Sequence, residues 1–184
     1  MKLSYFLILM TAISTLFQLP YLQSLVIWNG ELIQNGQWWR ILSGNMTHTN
    51  TIHLTMNIAA LWIIAYLFTP STKNLLGILS SLSIIVGLGL LFTNLGSYAG
   101  LSGVLHGLFT YYALSEALRG RNSSWLLVVG GIIKIAHEQF YGASLNTAEL
   151  ISAEVAIQAH LIGGIAGLVL AAAWYKIQSR HLSC

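Results

Sequence analysis

The chain has 184 residues, of which 55% are hydrophobic and only 7% are charged. Soluble domains carry about 25% charged residues, so this chain cannot cover a surface that faces water. The composition predicts a single membrane-embedded domain over residues 1–184. The net charge of +3 gives no indication of a nucleic-acid partner. The single cysteine, Cys184, allows no internal disulfide.

Six apolar runs have about the length that crosses a bilayer as a helix, which is roughly 20 residues. They cover about Leu3–Leu19, Thr51–Phe68, Leu75–Phe92, Ala99–Leu118, Trp125–Phe140 and Ala153–Tyr175. Pro20 and Pro70 are expected to close the first two runs. A signal peptide is the alternative for the first run, but that run is long and has no clean small-x-small cleavage site. We predict an all-α membrane protein, a bundle of six transmembrane helices.

The basic residues fall mainly on one side of this arrangement. That side carries Lys2, Lys73, Arg119, Arg121, Lys176 and Arg180, whereas the other side carries Arg40 alone. Lysine and arginine concentrate in cytoplasmic loops. Both termini are therefore predicted to be cytoplasmic, and the long first loop, Tyr21–Asn50, is predicted to face the outside.

Polar side chains from three spans are predicted to share one depth. His53 and Asn57 fall in the first two turns of the second span. Ser102 lies near the start of the fourth span, and His160 lies near the start of the sixth span. At 1.5 Å per residue, these groups lie roughly 3–11 Å below the outer ends of their helices. Such side chains usually face the protein interior and mark a pathway or a reaction site. Core histidines bonded to backbone carbonyls are the alternative.

Serine and histidine form the minimal pair for nucleophilic catalysis, because the imidazole takes the hydroxyl proton as the oxygen attacks. Two glycine pairs adjoin them at the spacing that lets membrane helices pack backbone to backbone: Gly103 with Gly107, and Gly163 with Gly167. Packing the fourth span on the sixth would bring the Ser102 hydroxyl within hydrogen-bond reach of His160.

The chain contains no aspartate, so a Ser-His-Asp triad is excluded. Glu138 lies deep in the fifth span, and a two-residue dyad of Ser102 and His160 is the simpler prediction. His53 and Asn57 lie four residues apart on one helical face and are candidate donors to the oxyanion. The backbone N–H of Ser102, near a helix start, is a third candidate donor.

These motifs resemble the signatures of the rhomboid intramembrane serine proteases. The matching segments are His48-x4-His53-x3-Asn57, Gly100-x-Ser102-Gly103, Ala159-His160-x-x-Gly163-Gly164-x-x-Gly167 and, in the first outer loop, Trp39-Arg40. The resemblance implies a six-helix fold with a water-filled cavity and a membrane-anchored protein as substrate within the lipid bilayer. It also implies Ser102 as nucleophile, His160 as general base, and His53 with Asn57 around the oxyanion.

No cofactor and no metal ion are expected. His48 precedes the second span, where it either braces the outer loop or is an ordinary loop histidine.

His106 stands four residues after Ser102, where many rhomboids have a tyrosine packed on the base. The run GLSGVLHG, in a chain of this short length, resembles the rhombosortase subfamily. That resemblance implies cleavage at Gly-Gly C-terminal sorting anchors, in a bacterial inner membrane, by a site that opens to the periplasm. His106 is expected to stack on or orient His160. It is not expected to be the base, since it shares the helix of Ser102, where i,i+4 geometry aims poorly for proton transfer. An ordinary rhomboid, in which His106 merely fills the tyrosine's place, is the alternative.

Lys134 and Glu138 interrupt the fifth span four residues apart and are expected to pair with each other. A structural ion pair and a contact to the substrate are both open for them.

Three other functions are weighed against the Gly-Gly protease: a general rhomboid protease of other single-span substrates, a non-catalytic rhomboid-like binding protein, and a transporter or channel. The chain shows no convincing internal repeat of the transporter kind, and it keeps both the serine and the histidine that non-catalytic relatives typically lack.

Overall fold

The computed structural model describes residues 2–182, which are mostly helical. In chain order the elements are α1 (Leu3–Leu16), α2 (Pro20–Val26), β1 (Trp28–Asn29), α3 (Gly30–Gln34), α4 (Arg40–Ser43), α5 (Thr51–Phe68), α6 (Thr72–Gly89), a 3-10 turn (Leu90–Phe92), β2 (Ser97–Tyr98), α7 (Ser102–Leu118), α8 (Ser124–Tyr141), α9 (Leu145–Ile151) and α10 (Ile157–Leu182).

Three of the helices in this range are by themselves long and apolar enough to cross a membrane. They are α5, α6 with its 3-10 extension, and Ile157–Arg180 of α10. The bent pair of α1 and α2 makes a fourth if it forms one span. α7 has 17 residues, and the polar residues of α8 lower its hydropathy. The helical membrane protein is thus confirmed, while the count of six spans stays a prediction.

The first apolar run differs from its predicted shape. α1 ends at Leu16, and Pro20 begins α2 instead of closing a span. The two helix axes differ in direction by 103°. Proline suits the first helical position because its missing N–H would have no intrahelical partner there. The chain therefore turns sharply at the point where the sequence predicted only an end.

One buried arginine helps to order the long segment between α1 and α5. Arg40 is 3% exposed. Its guanidinium donates to the side-chain oxygen of Gln37 and to the carbonyl oxygens of Ile27 and Ser24, at 2.7 to 3.0 Å. These bonds tie α4 to the end of α2, so the predicted loop contains defined secondary structure.

A two-stranded antiparallel sheet joins this loop to the segment before α7. Trp28 pairs with Tyr98, and Asn29 pairs with Ser97. The fully buried Trp28 donates from its indole N–H to the carbonyl oxygen of Gly87 at 2.8 Å. The sheet thereby fixes the chain immediately before Ser102.

α5 has the bounds predicted for the second span. The side chain of Asn50 caps it by accepting from the backbone N–H of His53 at 2.8 Å. The helix ends where Thr69 adopts a left-handed conformation before Pro70. This start places His53 and Asn57 in the first two turns, facing inward.

α7 and α10 pack backbone to backbone, which confirms the contact predicted from the glycine pairs. A Cβ atom on Gly103 would lie 2.9 Å from the carbonyl oxygen of Ala159, and one on Gly107 would lie 2.8 Å from that of Gly163. A Cβ atom on Gly163 or Gly167 would overlap the carbonyl oxygen of the facing glycine on α7. Side chains larger than hydrogen do not fit at this crossing.

Two helices begin later than predicted. α7 starts at Ser102, not near Ala99, because Gly100 has a φ of +139° and interrupts the backbone there. α10 starts at Ile157. Ser102 is therefore the first residue of its helix, and His160 is the fourth of its own. Both side chains lie at helix ends, where a cavity can admit water.

Candidate active site

The side chains of Ser102 and His160 meet across the glycine-packed contact of α7 and α10. The Ser102 hydroxyl lies 2.9 Å from Nε2 of His160, within the range of an ordinary hydrogen bond. His160 is 4% exposed, so neighbouring side chains hold its ring. This is the contact expected from the sequence.

The other nitrogen of His160 contacts a carboxylate. Nδ1 lies 2.9 Å from Oε2 of Glu138, on α8. An ionised carboxylate only accepts hydrogen bonds, so Nδ1 carries the proton in the neutral ring. Nε2 then presents its lone pair to the Ser102 hydroxyl, and this is the tautomer that can take the proton of a nucleophile.

Glu138 also forms the predicted pair with Lys134. The Lys134 ammonium donates to Oε1 of Glu138 at 2.8 Å, so the two carboxylate oxygens each have one donor. The side chain of Glu138 is 13% exposed. The arrangement differs from the predicted two-residue dyad, because a third side chain from a third helix contacts the imidazole.

His106 lies against the face of His160. The ring centroids are 4.1 Å apart and the planes differ by 18°, so the rings are stacked as the sequence suggested. Nδ1 of His106 contacts the backbone carbonyl of Ser102 at 2.7 Å, and Nε2 contacts the Lys134 ammonium. The carbonyl must accept and the ammonium must donate. Both ring nitrogens of His106 are therefore occupied, which leaves neither to accept the serine proton.

Of the two candidate oxyanion donors, Asn57 has a hydrogen available to donate, whereas neutral His53 has none. One amide hydrogen of Asn57 goes to the carbonyl oxygen of His53 at 3.1 Å, and the second remains to be used. Nδ1 of His53 contacts the Thr49 hydroxyl, which donates its own hydrogen to the carbonyl of Ile151. His53 must then donate from Nδ1. Nε2 of the neutral ring is left as an acceptor, so His53 donates there only when protonated.

Gly100 and the helix start complete this part of the site. A Cβ atom on Gly100 would lie 2.8 Å from Cε1 and 2.9 Å from Nε2 of His53. The backbone of Gly100 also has a positive φ, a conformation that residues with a side chain rarely adopt. Glycine is thus required there on two grounds. The start of α7 supplies the positive end of a helix dipole beside the Ser102 hydroxyl.

Tyr98 is a site neighbour that sequence analysis missed. Its buried hydroxyl donates to the carbonyl oxygen of Gly100. Burial raises the pKa of Tyr98 to about 12. The phenol stays neutral and supports the turn that precedes the serine. No spacing in the sequence singles it out, because the β1–β2 pairing brings it here.

His48 is fully buried and packs edge-on against His53, with ring centroids 5.0 Å apart. Burial, with a smaller effect from His53, lowers the pKa of His48 to about 3. The residue does not line the cavity. This buried position is consistent with a histidine that braces the loop, and not with an ordinary loop histidine.

The polar side chains around Ser102 and His160, apart from His48, line one open cavity of about 1260 Å³. Ser102, His160, His53, Asn57, His106, Lys134 and Glu138 contribute to its wall. Ligand atoms of His106, Glu138 and His160 lie within 4.8 Å of one another, a spacing that could hold a metal ion. The Lys134 ammonium contacts two of these three groups. A cation is therefore already in place there, and it would compete with a metal.

Comparison with known proteins identifies the family. The Rhomboid domain family matches residues 35–177, a segment that contains every candidate site residue. "Putative rhomboid protease YdcA" of Bacillus subtilis (strain 168) is 26% identical over 185 residues, which cover 91% of this chain and 85% of YdcA. Because the family match extends over well more than half of the chain, the protein belongs to the rhomboid family of intramembrane proteases.

Proposed function

We propose that this protein is a serine endopeptidase that cleaves membrane-anchored proteins, with Ser102 as nucleophile and His160 as general base. The 2.9 Å contact between the Ser102 hydroxyl and Nε2 of His160 carries the proposal. It joins a nucleophile to a base in the tautomer that accepts a proton, inside an open cavity.

The reaction follows from these positions. Oγ of Ser102 attacks the scissile carbonyl carbon as its proton moves to Nε2 of His160. The oxyanion accepts from the Asn57 amide and the Ser102 backbone N–H. His160 then gives the proton to the departing amine, the C–N bond breaks, and an acyl-enzyme remains. Water, deprotonated by His160, releases the acid and restores the serine.

We place the cavity at the outer, periplasmic side of a bacterial inner membrane, with six spans and both termini cytoplasmic. The basic residues support this orientation. Lys73 follows the α5–α6 connection, and Arg119 and Arg121 lie in the α7–α8 connection. Both connections are at the far ends of helices whose opposite ends carry the site, and positive residues mark the cytoplasmic side.

The proposed substrate is a C-terminal membrane anchor that begins with a Gly-Gly pair. His106 supports this choice, since it takes the tyrosine's place on the base, as in rhombosortases. A physical reason supports it too. Proteolysis needs an extended backbone, and glycine costs a helix about 1 kcal/mol relative to alanine. An anchor unwinds most easily at such a pair.

A serine-reactive fluorophosphonate probe tests the chemistry. The wild type should be labelled, whereas Ser102→Ala and His160→Ala should not be. In substrate cleavage, Ser102→Ala and His160→Ala should each abolish activity, and the double variant should be no worse than either single one, because the two residues act as a unit. Ser97→Ala, another serine on the cavity wall, is the matched control and should label normally. An unlabelled wild type, or a labelled Ser102→Ala, would contradict the proposed nucleophile.

Co-expression with a single-span protein that carries a Gly-Gly anchor tests the substrate. Mass mapping of the new C-terminus should place the cut at or near that pair. Replacing the pair with Ala-Leu should slow cleavage strongly while membrane insertion is unchanged. Equal cleavage of both anchors, together with better cleavage of other single-span proteins, would leave a general rhomboid protease as the function.

A further inference from the structure

We propose that Glu138 is a positioning residue for His160, held in place by Lys134, so that the site works as a Ser102–His160–Glu138 triad. The inference rests on the proposed serine-protease function and extends it to a side chain on α8. It departs from the two-residue dyad that was the simpler prediction from the sequence.

The first argument is geometric. The atoms form a continuous chain from the Ser102 hydroxyl through Nε2 and Nδ1 of His160 to Oε2 of Glu138, with both contacts at 2.9 Å. Three helices contribute, α7, α10 and α8. Each link has one donor and one acceptor. The carboxylate therefore selects the tautomer of His160 in which the nitrogen facing the serine is unprotonated.

The second argument is electrostatic. His160 carries a positive charge once it has taken the serine proton, and its side chain is 5% exposed. A buried cation without a counter-charge is costly. Glu138 supplies that counter-charge in contact with Nδ1, with a side chain only 13% exposed. Its charge is in place before the reaction, so no reorganisation is needed when the imidazolium forms.

Lys134 explains how a carboxylate is kept in this helix. An isolated charge within a membrane helix is unfavourable, and such groups usually pair. Lys134 pairs with Oε1 of Glu138 while its own side chain is 50% exposed, on the cavity wall. The same ammonium contacts Nε2 of His106, which stacks on His160. Lys134 thus contacts both Glu138, which bonds to the edge of the His160 ring, and His106, which stacks on the face of that ring.

Glu138→Gln is the principal test. The glutamine amide N–H can donate to Nδ1 of His160 and so place the ring proton on Nε2, where it blocks transfer from Ser102. The corresponding change of aspartate to asparagine in the Ser-His-Asp triad of serine proteases lowers kcat by about 10⁴. For Glu138→Gln we expect a fall in kcat of about 10³–10⁴, with KM within about twofold of the wild type, since the binding cavity keeps its shape. Glu138→Asp keeps the charge and should recover part of kcat.

Glu116→Gln is the matched control. Glu116 pairs with Arg121 at 2.9 Å at the opposite end of the bundle, so the variant loses an ion pair remote from the site. It should match the wild type in labelling rate and in kcat. Thermal unfolding in detergent would establish that each variant is folded before its kinetics are compared.

The outcomes separate the two proposals. If the wild type and Glu116→Gln are labelled while folded Glu138→Gln keeps kcat within about threefold, the triad is wrong and the Ser102–His160 pair stands. If the wild type is not labelled at all, the serine-protease function itself is wrong. A second measurement needs no variant: imidazole ¹⁵N shifts of the wild type should show His160 protonated at Nδ1. A ring protonated at Nε2 would overturn the inference.

Discussion

Replacing Gly163 with alanine tests whether close contact between α7 and α10 sets the catalytic geometry. Gly163 lies one turn from His160 and faces Gly103, which follows Ser102. A Cβ atom at Gly163 would overlap the carbonyl oxygen of Gly103, and backbone atoms cannot rotate away as the end of a flexible side chain can. The two helices must therefore separate.

The size of the effect follows from that overlap. Ordinary van der Waals contact begins at 3.4 Å, so relieving the clash requires a shift of more than about 1 Å. A displacement of about 1 Å can already cost an active site about 100-fold. Such a shift would lengthen the 2.9 Å contact between Ser102 and His160 beyond hydrogen-bond range. We expect kcat to fall at least about 100-fold, which is a rise of at least about 2.7 kcal/mol in the barrier. Gly103→Ala, whose Cβ atom would lie 2.9 Å from a carbonyl oxygen, should lose less.

The assay is the labelling rate of Ser102 by the fluorophosphonate probe, combined with cleavage of a single-span substrate. Gly77→Ala on α6 is the control, because a Cβ atom there would meet nothing within 4 Å. It should leave the rate unchanged and should not lower the melting temperature. If folded Gly163→Ala reacts as fast as Gly77→Ala, the glycine contact does not set the distance between serine and histidine.

Three further outcomes are expected. Asn57→Ala should reduce kcat by about 10²–10³, the usual cost of losing an oxyanion donor, and His53→Ala should reduce it less; the reverse order would assign the donor to His53. Reporter fusions after Ser71 and after Gly120 should read as cytoplasmic, and a periplasmic signal at either place would refute the topology. The pKa of His48 falls from its ordinary 6.5 to about 3 in the folded protein, so the unfolded chain binds more protons below pH 6.5 and stability should decline as the pH drops from 6.5. That decline should be smaller in His48→Leu. An equal fall in melting temperature between pH 7 and pH 4 for the two proteins would contradict the buried neutral histidine.

Several features of the site could be predicted because local patterns determine them. Low charge and long apolar runs require a membrane. The capping asparagine and the following proline set the bounds of α5 by short-range hydrogen bonding and sterics, so His53 and Asn57 fall where expected. The glycine pairs beside Ser102 and His160 require close helix packing, and this packing produces their contact.

Other features depended on long-range contacts. The strand pairing of Trp28 with Tyr98 keeps the chain extended before α7, and Gly100 then adopts a positive φ. Ser102 therefore begins the helix instead of lying within it. The bend at Pro20 is similar, because proline either ends or begins a helix and its neighbours in space decide which.

The sequence by itself determined a membrane-embedded helical chain with a serine, a histidine and the glycines that let their helices meet. Only the tertiary structure decided that Glu138, which the spacing pairs with Lys134 on the same helix, also contacts His160. An i,i+4 pair is a property of one helix. Contact across α8 and α10 depends on how those helices are rotated and how deeply they are set, which their separate sequences do not encode.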